Sequence, residues 1–259
     1  MPELDVTVPH ISRVYDYWLG GKDNFAADRA LGEQTMEAYP NIVHSVRANR
    51  AFLVRSVRFL TAEMGIRQFL DIGAGLPSAD NVHEVAQRAA PDSRIVYADN
   101  DPVVLSHARA LLRSSPQGAL EYLDADLRDP DTILARAADT LDFSEPTAIT
   151  LLTVLQFVPD GEASAVVQRL MAACAPGSFL AISHPASDIE VEHHSEMVRR
   201  MNQSMAQQAT LRDRAGVTSL FAGLQLVEPG VVKASQWRPD SPIQAATPTV
   251  LWAGVARKP

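Results

Sequence analysis

The segment Gln68–Pro77 (QFLDIGAGLP) restricts the possible fold of this chain more than any other stretch. A short apolar run reaches Asp71, turns through Gly73 and Gly75, and leads into a segment compatible with a helix. This pattern predicts a buried strand, a tight loop and a helix. Glycines in the loop would let a ligand approach the backbone closely, because they carry no Cβ. An ordinary strand-turn-helix junction is the alternative interpretation of this segment alone.

The loop departs from the dinucleotide-binding fingerprint G-x-G-x-x-G. Ser78 stands in the place of the third glycine, and Asp71 lies two positions before the first. In the fingerprint a helix N-terminus binds a pyrophosphate, which a carboxylate beside the loop would repel. A carboxylate suits instead a ligand that carries an ammonium and a sulfonium, and S-adenosylmethionine is such a ligand.

Acidic residues also follow the next predicted strand. Residues 94–101 (RIVYADND) form an apolar run that ends in Asp99 and Asp101. In doubly wound sheets, an acid about 20 residues beyond the glycine loop binds the ribose hydroxyls. Asp99 ends the run 24 residues after Gly75 and is the stronger candidate, and we group its neighbour Asn100 with it. Asp101 is the alternative ribose ligand, or it caps the helix that a proline opens next.

A third apolar run, Leu120 to Leu123, leads to a turn that contains Asp126 and Leu127. We expect this turn to lie beside the adenine base, where an acid could accept a hydrogen bond from the amino group. Each acid alone is equally explained as a solvated strand end or a helix cap. Acids after three successive strands favour a shared binding site.

Two sets of motifs together resemble known enzymes. Asp71-x-Gly73-x-Gly75, Asp99, the Asp126 turn and residues 175–180 (APGSFL) resemble the motif series of class I S-adenosylmethionine-dependent methyltransferases. Residues 13–29 (RVYDYWLGGKDNFAADR), the N-terminal signature, resemble the start of an actinobacterial methyltransferase family. Many members of that family are catalogued only as a domain of unknown function.

The resemblance implies the fold and the cofactor but says little about the methyl acceptor. The implied fold is α/β, with a doubly wound, seven-stranded, mostly parallel Rossmann-like sheet whose last strand is antiparallel. The implied cofactor is S-adenosylmethionine, bound beyond the carboxyl ends of the strands.

The apolar pattern predicts an N-terminal helical cap at residues 1–65 and a cofactor-binding domain at residues 66–259, within one globular unit. The cap should hold three helices: 11–19, a second beginning at Asp23 or Asn24 and ending near Ala38, and a third from Ile42 to Glu63. Strands are expected near 67–72, 94–99, 119–123, 147–152, 178–183, 224–235 and 248–256.

Further site residues are expected in the cap and at the exit of the fourth strand. The double glycine in the N-terminal signature could present Asn24 and Phe25 to the methionine end of the cofactor. Gln156 could contact the cofactor from the strand exit, or it begins the next helix and only packs. For a general base, the sequence offers only weak candidates, His184 and Tyr17, with Tyr15 beside them. His184 could instead shape a turn.

We expect a small-molecule methyl acceptor, because the acidic balance disfavours nucleic acid and the helical cap suggests an enclosed pocket. The net charge of −8 argues against broad binding to nucleic acid. Four arginines, at 47, 50, 55 and 58, crowd one segment, and we interpret them as a solvated helix face rather than a basic binding surface. No Cys/His cluster has zinc-ligand spacing, so no metal is expected. We expect no membrane association and a cytoplasmic location, because no apolar stretch approaches ~20 residues and no secretory signal is recognisable.

Two other functions stay open at this point. An NAD-dependent oxidoreductase would share the doubly wound sheet and the ribose-binding acid, but it is disfavoured by the absent third glycine. A non-catalytic regulatory protein that senses S-adenosylmethionine would differ by lacking an acceptor pocket.

Overall fold

A single mixed sheet forms the centre of the computed structural model, which describes residues 6–205 and 207–259. Its strands are β1 (Gln68–Ile72), β2 (Arg94–Asp99), β3 (Ala119–Asp124), β4 (Ala148–Leu152), β5 (Phe179–Pro185), β6 (Gln225–Leu226), β7 (Val232–Lys233) and β8 (Leu251–Arg257). The strand order is β3-β2-β1-β4-β5-β8-β6, with β7 also paired to β8. Neighbours among β1–β5 are parallel, and β8 runs antiparallel to β5. This is the predicted doubly wound fold.

The strand count differs from the prediction by one. The expected strand at 224–235 is divided into the two-residue strands β6 and β7. Between them lies a turn in which the backbone N–H of Gly230 donates to the carbonyl of Val227. Pro229 lacks an N–H and Gly230 adopts a positive φ, so this stretch cannot continue as an extended ladder.

Ten helices accompany the sheet in the described part of the chain. They are α1 (Ile11–Leu19), α2 (Ala26–Ala38), α3 (Ile42–Arg58), α4 (Val82–Ala89), α5 (Pro102–Leu111), α6 (Pro130–Ala137), α7 (Asp160–Ala173), α8 (Val191–Ser204), α9 (Arg214–Ser219) and α10 (Pro242–Ala245). A π-helical turn (Phe59–Glu63) extends α3, and two 3-10 turns lie at Leu155–Phe157 and Ala234–Gln236. None of the helices in these residues is both long and apolar enough to cross a membrane.

The ends of the first two helices follow from local sequence. Gly20 caps α1 in the left-handed conformation with φ of 83°, as its position predicts. The predicted cap of α2 is wrong, because Phe25 rather than Asp23 or Asn24 occupies the N-cap position. The Asp28 carboxylate accepts the backbone N–H of Phe25 at 2.8 Å, so it satisfies an N–H that the helix leaves free.

The helical cap packs as one layer with α8. Buried residues of α1, α2 and α3 share an apolar cluster with Met197 and Met201 of α8. The cap is therefore anchored to the sheet through an element that follows β5. Residues 1–5 of the predicted cap lie outside the described part of the chain.

The arginine-rich segment is only in part the solvated face that its sequence suggests. Arg47 and Arg58 are exposed, but Arg55 is only 2% exposed. Its guanidinium donates to the carbonyls of Trp237 at 2.8 Å and Ala234 at 2.6 Å. Buried carbonyls in an irregular turn need donors, and the planar guanidinium supplies several at once.

Candidate functional site

A cavity of about 380 Å³ lies beyond the carboxyl ends of the parallel strands. Strand order reverses between β1 and β4, and the loops that follow both strands line this cavity. Residues that follow β2 and β3 also line the cavity, and α1 and α3 contribute residues from the cap. Open α/β sheets bind ligands in a crevice at this switch point.

The two loop positions, Gly73 and Gly75, favour glycine for different reasons. Both adopt positive φ, 74° at Gly73 and 66° at Gly75. A Cβ on Gly73 would lie 2.4 Å from Cγ2 of Val154, so a larger residue would collide with the chain that leaves β4. A Cβ on Gly75 would have no atom within 4 Å, and Gly75 borders the cavity. The loop thus leaves room for a ligand beside its backbone.

Asp71, at the end of β1, is a buried carboxylate in the cavity wall. Its burial raises its pKa to about 6, although the hydroxyl of Thr150 donates to it and opposes the shift. In the described part of the chain, this buried carboxylate accepts a hydroxyl hydrogen bond but forms no ion pair, which suits a positively charged ligand group.

Asp99 and Asp101, the two predicted alternatives for the ribose ligand, differ in their hydrogen bonds. Asp99 lines the cavity, accepts the backbone N–H groups of Gly75 and Asp101, each at 2.9 Å, and has a pKa raised by burial. Asp101 caps α5 by accepting the N–H of Val103 at 2.8 Å, and it also contacts Nδ1 of His10 at 2.8 Å. Asp101 therefore has the predicted capping role, whereas Asp99 faces the cavity.

The segments that follow β2 and β3 continue the same wall. Asn100, Asp126 and Leu127 all line the cavity. The Arg128 guanidinium holds the pKa of Asp126 below its usual range, although partial burial opposes this. Leu127 is buried and supplies an apolar surface beside the two polar side chains. An apolar wall edged by a fixed carboxylate suits a planar base with an amino group.

The cap contributes several residues to the site, of which only Tyr15 was a predicted site residue, as a candidate base. Arg50 of α3 lines the cavity and donates to the backbone carbonyls of Ala79 and Asp80 at 2.9 and 3.0 Å. In the sequence, its place among other arginines indicated only a helix face. One face of α1 also borders the cavity, through Ile11, Ser12, Tyr15, Asp16 and Leu19.

A polar network joins the cap to the ends of β4 and β5. The amide nitrogen of Asn49 donates to the hydroxyls of Tyr15 at 3.0 Å and Thr153 at 3.3 Å, and its oxygen accepts from Ser183 at 2.6 Å. Thr153 adopts a φ of 51°, a strained conformation for a β-branched residue. The network fixes the cavity floor where β4 ends.

Three predicted contact residues do not line the cavity. Asn24 lies behind Asp16 and donates to its carboxylate at 2.8 Å. Phe25 packs beneath the guanidinium of Arg13, with 5.4 Å from Cζ to the ring centre. Gln156 turns its side chain back to the carbonyl of Thr153 at 2.7 Å. Each side chain is used by its own local structure, so none is placed as a direct cofactor contact.

Of the three candidate bases, His184 and Tyr17 do not line the cavity. His184 is completely buried, its Nδ1 lies 2.9 Å from the carbonyl of Pro185, and its Nε2 faces the guanidinium of Arg212. Burial lowers its pKa to about 3, so it is a neutral structural residue. Tyr17 points to Glu33 outside the cavity, with its hydroxyl 3.2 Å from Oε1. Tyr15 does line the cavity, but burial raises its pKa.

Within residues 6–205 and 207–259, no group of three or more His, Cys, Asp or Glu side chains is arranged to hold a metal ion.

Comparison with known proteins decides the family. A family model described as S-adenosyl methyltransferase matches residues 1–259. The chain belongs to this S-adenosyl methyltransferase family. Its cofactor is accordingly S-adenosylmethionine, and the resemblance found in the sequence is confirmed.

Solved and curated relatives agree with this assignment. The structure of a DUF574 family protein from Streptomyces avermitilis superposes with a TM-score of 0.96 at 39% identity, covering 99% of this chain and 100% of the other. A trans-aconitate 2-methyltransferase from Variovorax paradoxus is 28% identical over 73% of this chain and 68% of its own. A carboxy-S-adenosyl-L-methionine synthase from Trichlorobacter lovleyi is 25% identical over 60% of this chain. The chain spans 61% of that synthase's length.

The residues of the cavity fit this cofactor. Asp71 offers a buried carboxylate for its ammonium group, Gly75 leaves open space beside the loop, and Asp99 offers a carboxylate beside that space. The two carboxylates and the open space between them thus lie at the carboxyl ends of the neighbouring strands β1 and β2.

Proposed function

We propose that this protein transfers the methyl group of S-adenosylmethionine to a small molecule held between the cofactor and the helical cap. The observation that carries the proposal is the convergence of Asp71, Gly75, Asp99 and Asp126 on one cavity that α1 also borders. Ligand pockets commonly measure about 300–1,000 Å³. The cavity of about 380 Å³ falls at the lower end of that range.

The cofactor would be held along its whole length by side chains on different elements. Asp71 binds the ammonium and Arg50 the carboxylate of its methionine end. Asp99 accepts hydrogen bonds from the ribose hydroxyls. Asp126 and Leu127 flank the adenine. This arrangement is supported by the shared cavity wall and by the charge of each group.

When bound, the cofactor supplies an electrophilic methyl group on a sulfonium, whose sulfur keeps the electron pair when the methyl leaves. The task of the chain is then to hold the acceptor atom in line with that methyl group and to exclude water. Positioning of this kind contributes roughly 7–11 kcal/mol. The network of Asn49, Tyr15 and Thr153 fixes the wall at the β4 exit, which supports a positioning mechanism rather than one that depends on His184.

A small acceptor is supported by the cap and by the charge of the chain. In the cap proposed at residues 1–65 for the domain at 66–259, residues of α1 and α3 border the cavity and narrow access to it. The net charge of −8 disfavours nucleic acid as the acceptor. The trans-aconitate relative methylates a small molecule according to its name. A cytoplasmic location is part of the proposal, since the single cysteine, Cys174, is a buried free thiol.

Incubation with S-adenosylmethionine labelled in the methyl group tests the proposal. With a small-molecule fraction of a cell extract, we expect the label to move to a low-molecular-weight product and S-adenosylhomocysteine to form. Label found only in the RNA or protein fraction would contradict the small-molecule acceptor. Tight cofactor binding without transfer to any fraction would favour the regulatory protein instead.

Cofactor binding should strengthen as the pH rises from about 5 to 7, because the ionised form of Asp71 attracts an ammonium. Burial raises the pKa of Asp71 to about 6, so the free protein keeps a proton on this carboxyl under mildly acidic conditions. Binding near pH 6 should release that proton. Calorimetry of S-adenosylhomocysteine in buffers with different heats of ionisation measures the release.

The Asp71→Asn variant is the control for this pH effect. It should lose most of the proton release, and an unchanged release would contradict the role of Asp71.

The stability of the ligand-free protein should change with pH in the direction opposite to that of cofactor binding. Because the folded pKa of Asp71 lies above its unfolded value of about 3.9, the native state binds more protons, and this contribution to stability is lost as pH rises from about 4 to 6.

A further inference from the structure

Asp16 is a buried carboxylate in the cavity wall to which the cofactor arrangement gives no role. It lies on α1 and is 9% exposed. Its Oδ2 atom accepts hydrogen bonds from the amide of Asn24 at 2.8 Å and from the backbone N–H of Asp23 at 3.0 Å. Across residues 6–205 and 207–259, no side chain forms an ion pair with it, and no group donates a hydrogen bond to its Oδ1 atom. Buried carboxylates are normally paired with a cation, and Oδ1 of Asp16 is left available to a group that enters the cavity.

The N-terminal signature holds this carboxylate in one position. A Cβ on Gly21 would lie 1.9 Å from Oδ1 of Asp16, so a larger residue at this position would displace the carboxylate. Asn24 is itself fixed, because the guanidinium of Arg29 donates to its backbone carbonyl at 2.8 Å and to its side-chain oxygen at 3.2 Å. Gly21 and Asn24 therefore position Asp16, and a carboxylate fixed in advance binds a partner with little reorganisation.

The cations around the cavity are already engaged elsewhere. Arg50 donates to the carbonyls that follow the glycine loop, Arg128 is paired with Asp126, and His10 lies against Asp101. None of them neutralises Asp16. The ammonium of the cofactor has its own carboxylate in Asp71, which lies beside the glycine loop.

We propose that Asp16 binds a cationic nitrogen of the methyl acceptor, which makes the acceptor a small amine. This inference rests on the proposed function, because it assumes that the cofactor occupies the strand ends. Asp16 then determines specificity, since an acceptor without a positive charge would leave a buried carboxylate unpaired.

Matched ligands test the charge preference directly. Protein saturated with S-adenosylhomocysteine is titrated with phenethylamine, 2-phenylethanol and 3-phenylpropanoate, and with hexylamine, hexanol and hexanoate. Calorimetry should show the amine of each set binding about 10- to 100-fold more tightly than its neutral and anionic counterparts, the size expected for a charge-assisted hydrogen bond. An amine that binds no better than its counterparts would overturn the inference.

The isosteric Asp16→Asn variant shows whether this carboxylate is responsible. It should lose the amine preference while keeping the affinity for S-adenosylhomocysteine and the melting temperature of the parent protein. Glu33→Gln, which removes an exposed carboxylate on α2, should keep the preference. An undiminished preference in Asp16→Asn, or a loss of S-adenosylhomocysteine affinity in that variant, would overturn the inference but leave the proposed function intact. Failure of S-adenosylhomocysteine to bind the parent protein would overturn the proposed function and the inference with it.

Discussion

Replacing Asp99 with alanine should weaken S-adenosylhomocysteine binding by about 2–3 kcal/mol, roughly 30- to 150-fold, because the ribose hydroxyls lose a charged acceptor. Asp99 is buried in the cavity wall, and its two oxygens also fix the backbone N–H groups of Gly75 and Asp101. The substitution thus removes a ligand contact and loosens the glycine loop. Calorimetric titration measures the loss, and thermal unfolding shows whether the variant remains folded.

Asp124→Ala is the matched control for this experiment. Asp124 is the neighbour of Asp99 across the sheet, at the same register position of β3, but its side chain is exposed. We expect its removal to leave the affinity within about 0.5 kcal/mol of the parent value. Unchanged binding in Asp99→Ala would contradict the assignment of the ribose to this residue.

Replacing Trp237 with alanine should lower the free energy of unfolding by about 3–5 kcal/mol, the usual effect of truncating a fully buried Trp. Its ring is completely buried and makes edge contacts with Phe52 at 5.4 Å and Phe59 at 5.7 Å between ring centres. The truncation leaves a cavity between the sheet and α3. Denaturant unfolding followed by circular dichroism measures the change.

An exposed neighbour provides the comparison for Trp237. Ile243 on α10 is 85% exposed, so Ile243→Ala should change stability by no more than about 0.5 kcal/mol. A loss below about 1 kcal/mol in Trp237→Ala would show that the turn after β7 does not contribute to the core as the packing indicates.

Local sequence was sufficient for the five parallel strands β1–β5 and for the cofactor side of the cavity. Asp71 lies in β1 just before the loop that holds Gly73 and Gly75, Asp99 ends β2, and Asp126 follows β3, as predicted. Parallel strands bring their carboxyl ends to one edge, so a residue's place after a strand already determines its approximate place in space. The capping role of Asp101 was also predictable, because helix capping depends only on residues that are neighbours in the sequence.

Side-chain direction was predicted poorly where distant elements decide it. His184 looked like a candidate base, but the sheet and Arg212 enclose it completely. Arg55 had the sequence surroundings of a solvated arginine, yet it is buried against the turn that contains Trp237, 182 residues further along the chain. Burial of a side chain depends on what packs over it, and helical spacing does not contain that information.

The sequence by itself determined the α/β fold, the glycine loop and the acids that follow three successive strands, because these are short-range patterns with a fixed outcome in a parallel sheet. Only the tertiary structure brought Arg50 and Asp16 to the same cavity and turned Asn24 away from it. The reason is physical: α1 and α3 must cross the strand ends before their side chains can face the cavity. The roles of Gly21 and Asn24 follow only from the folded loop between α1 and α2, where both residues contact the Asp16 carboxylate.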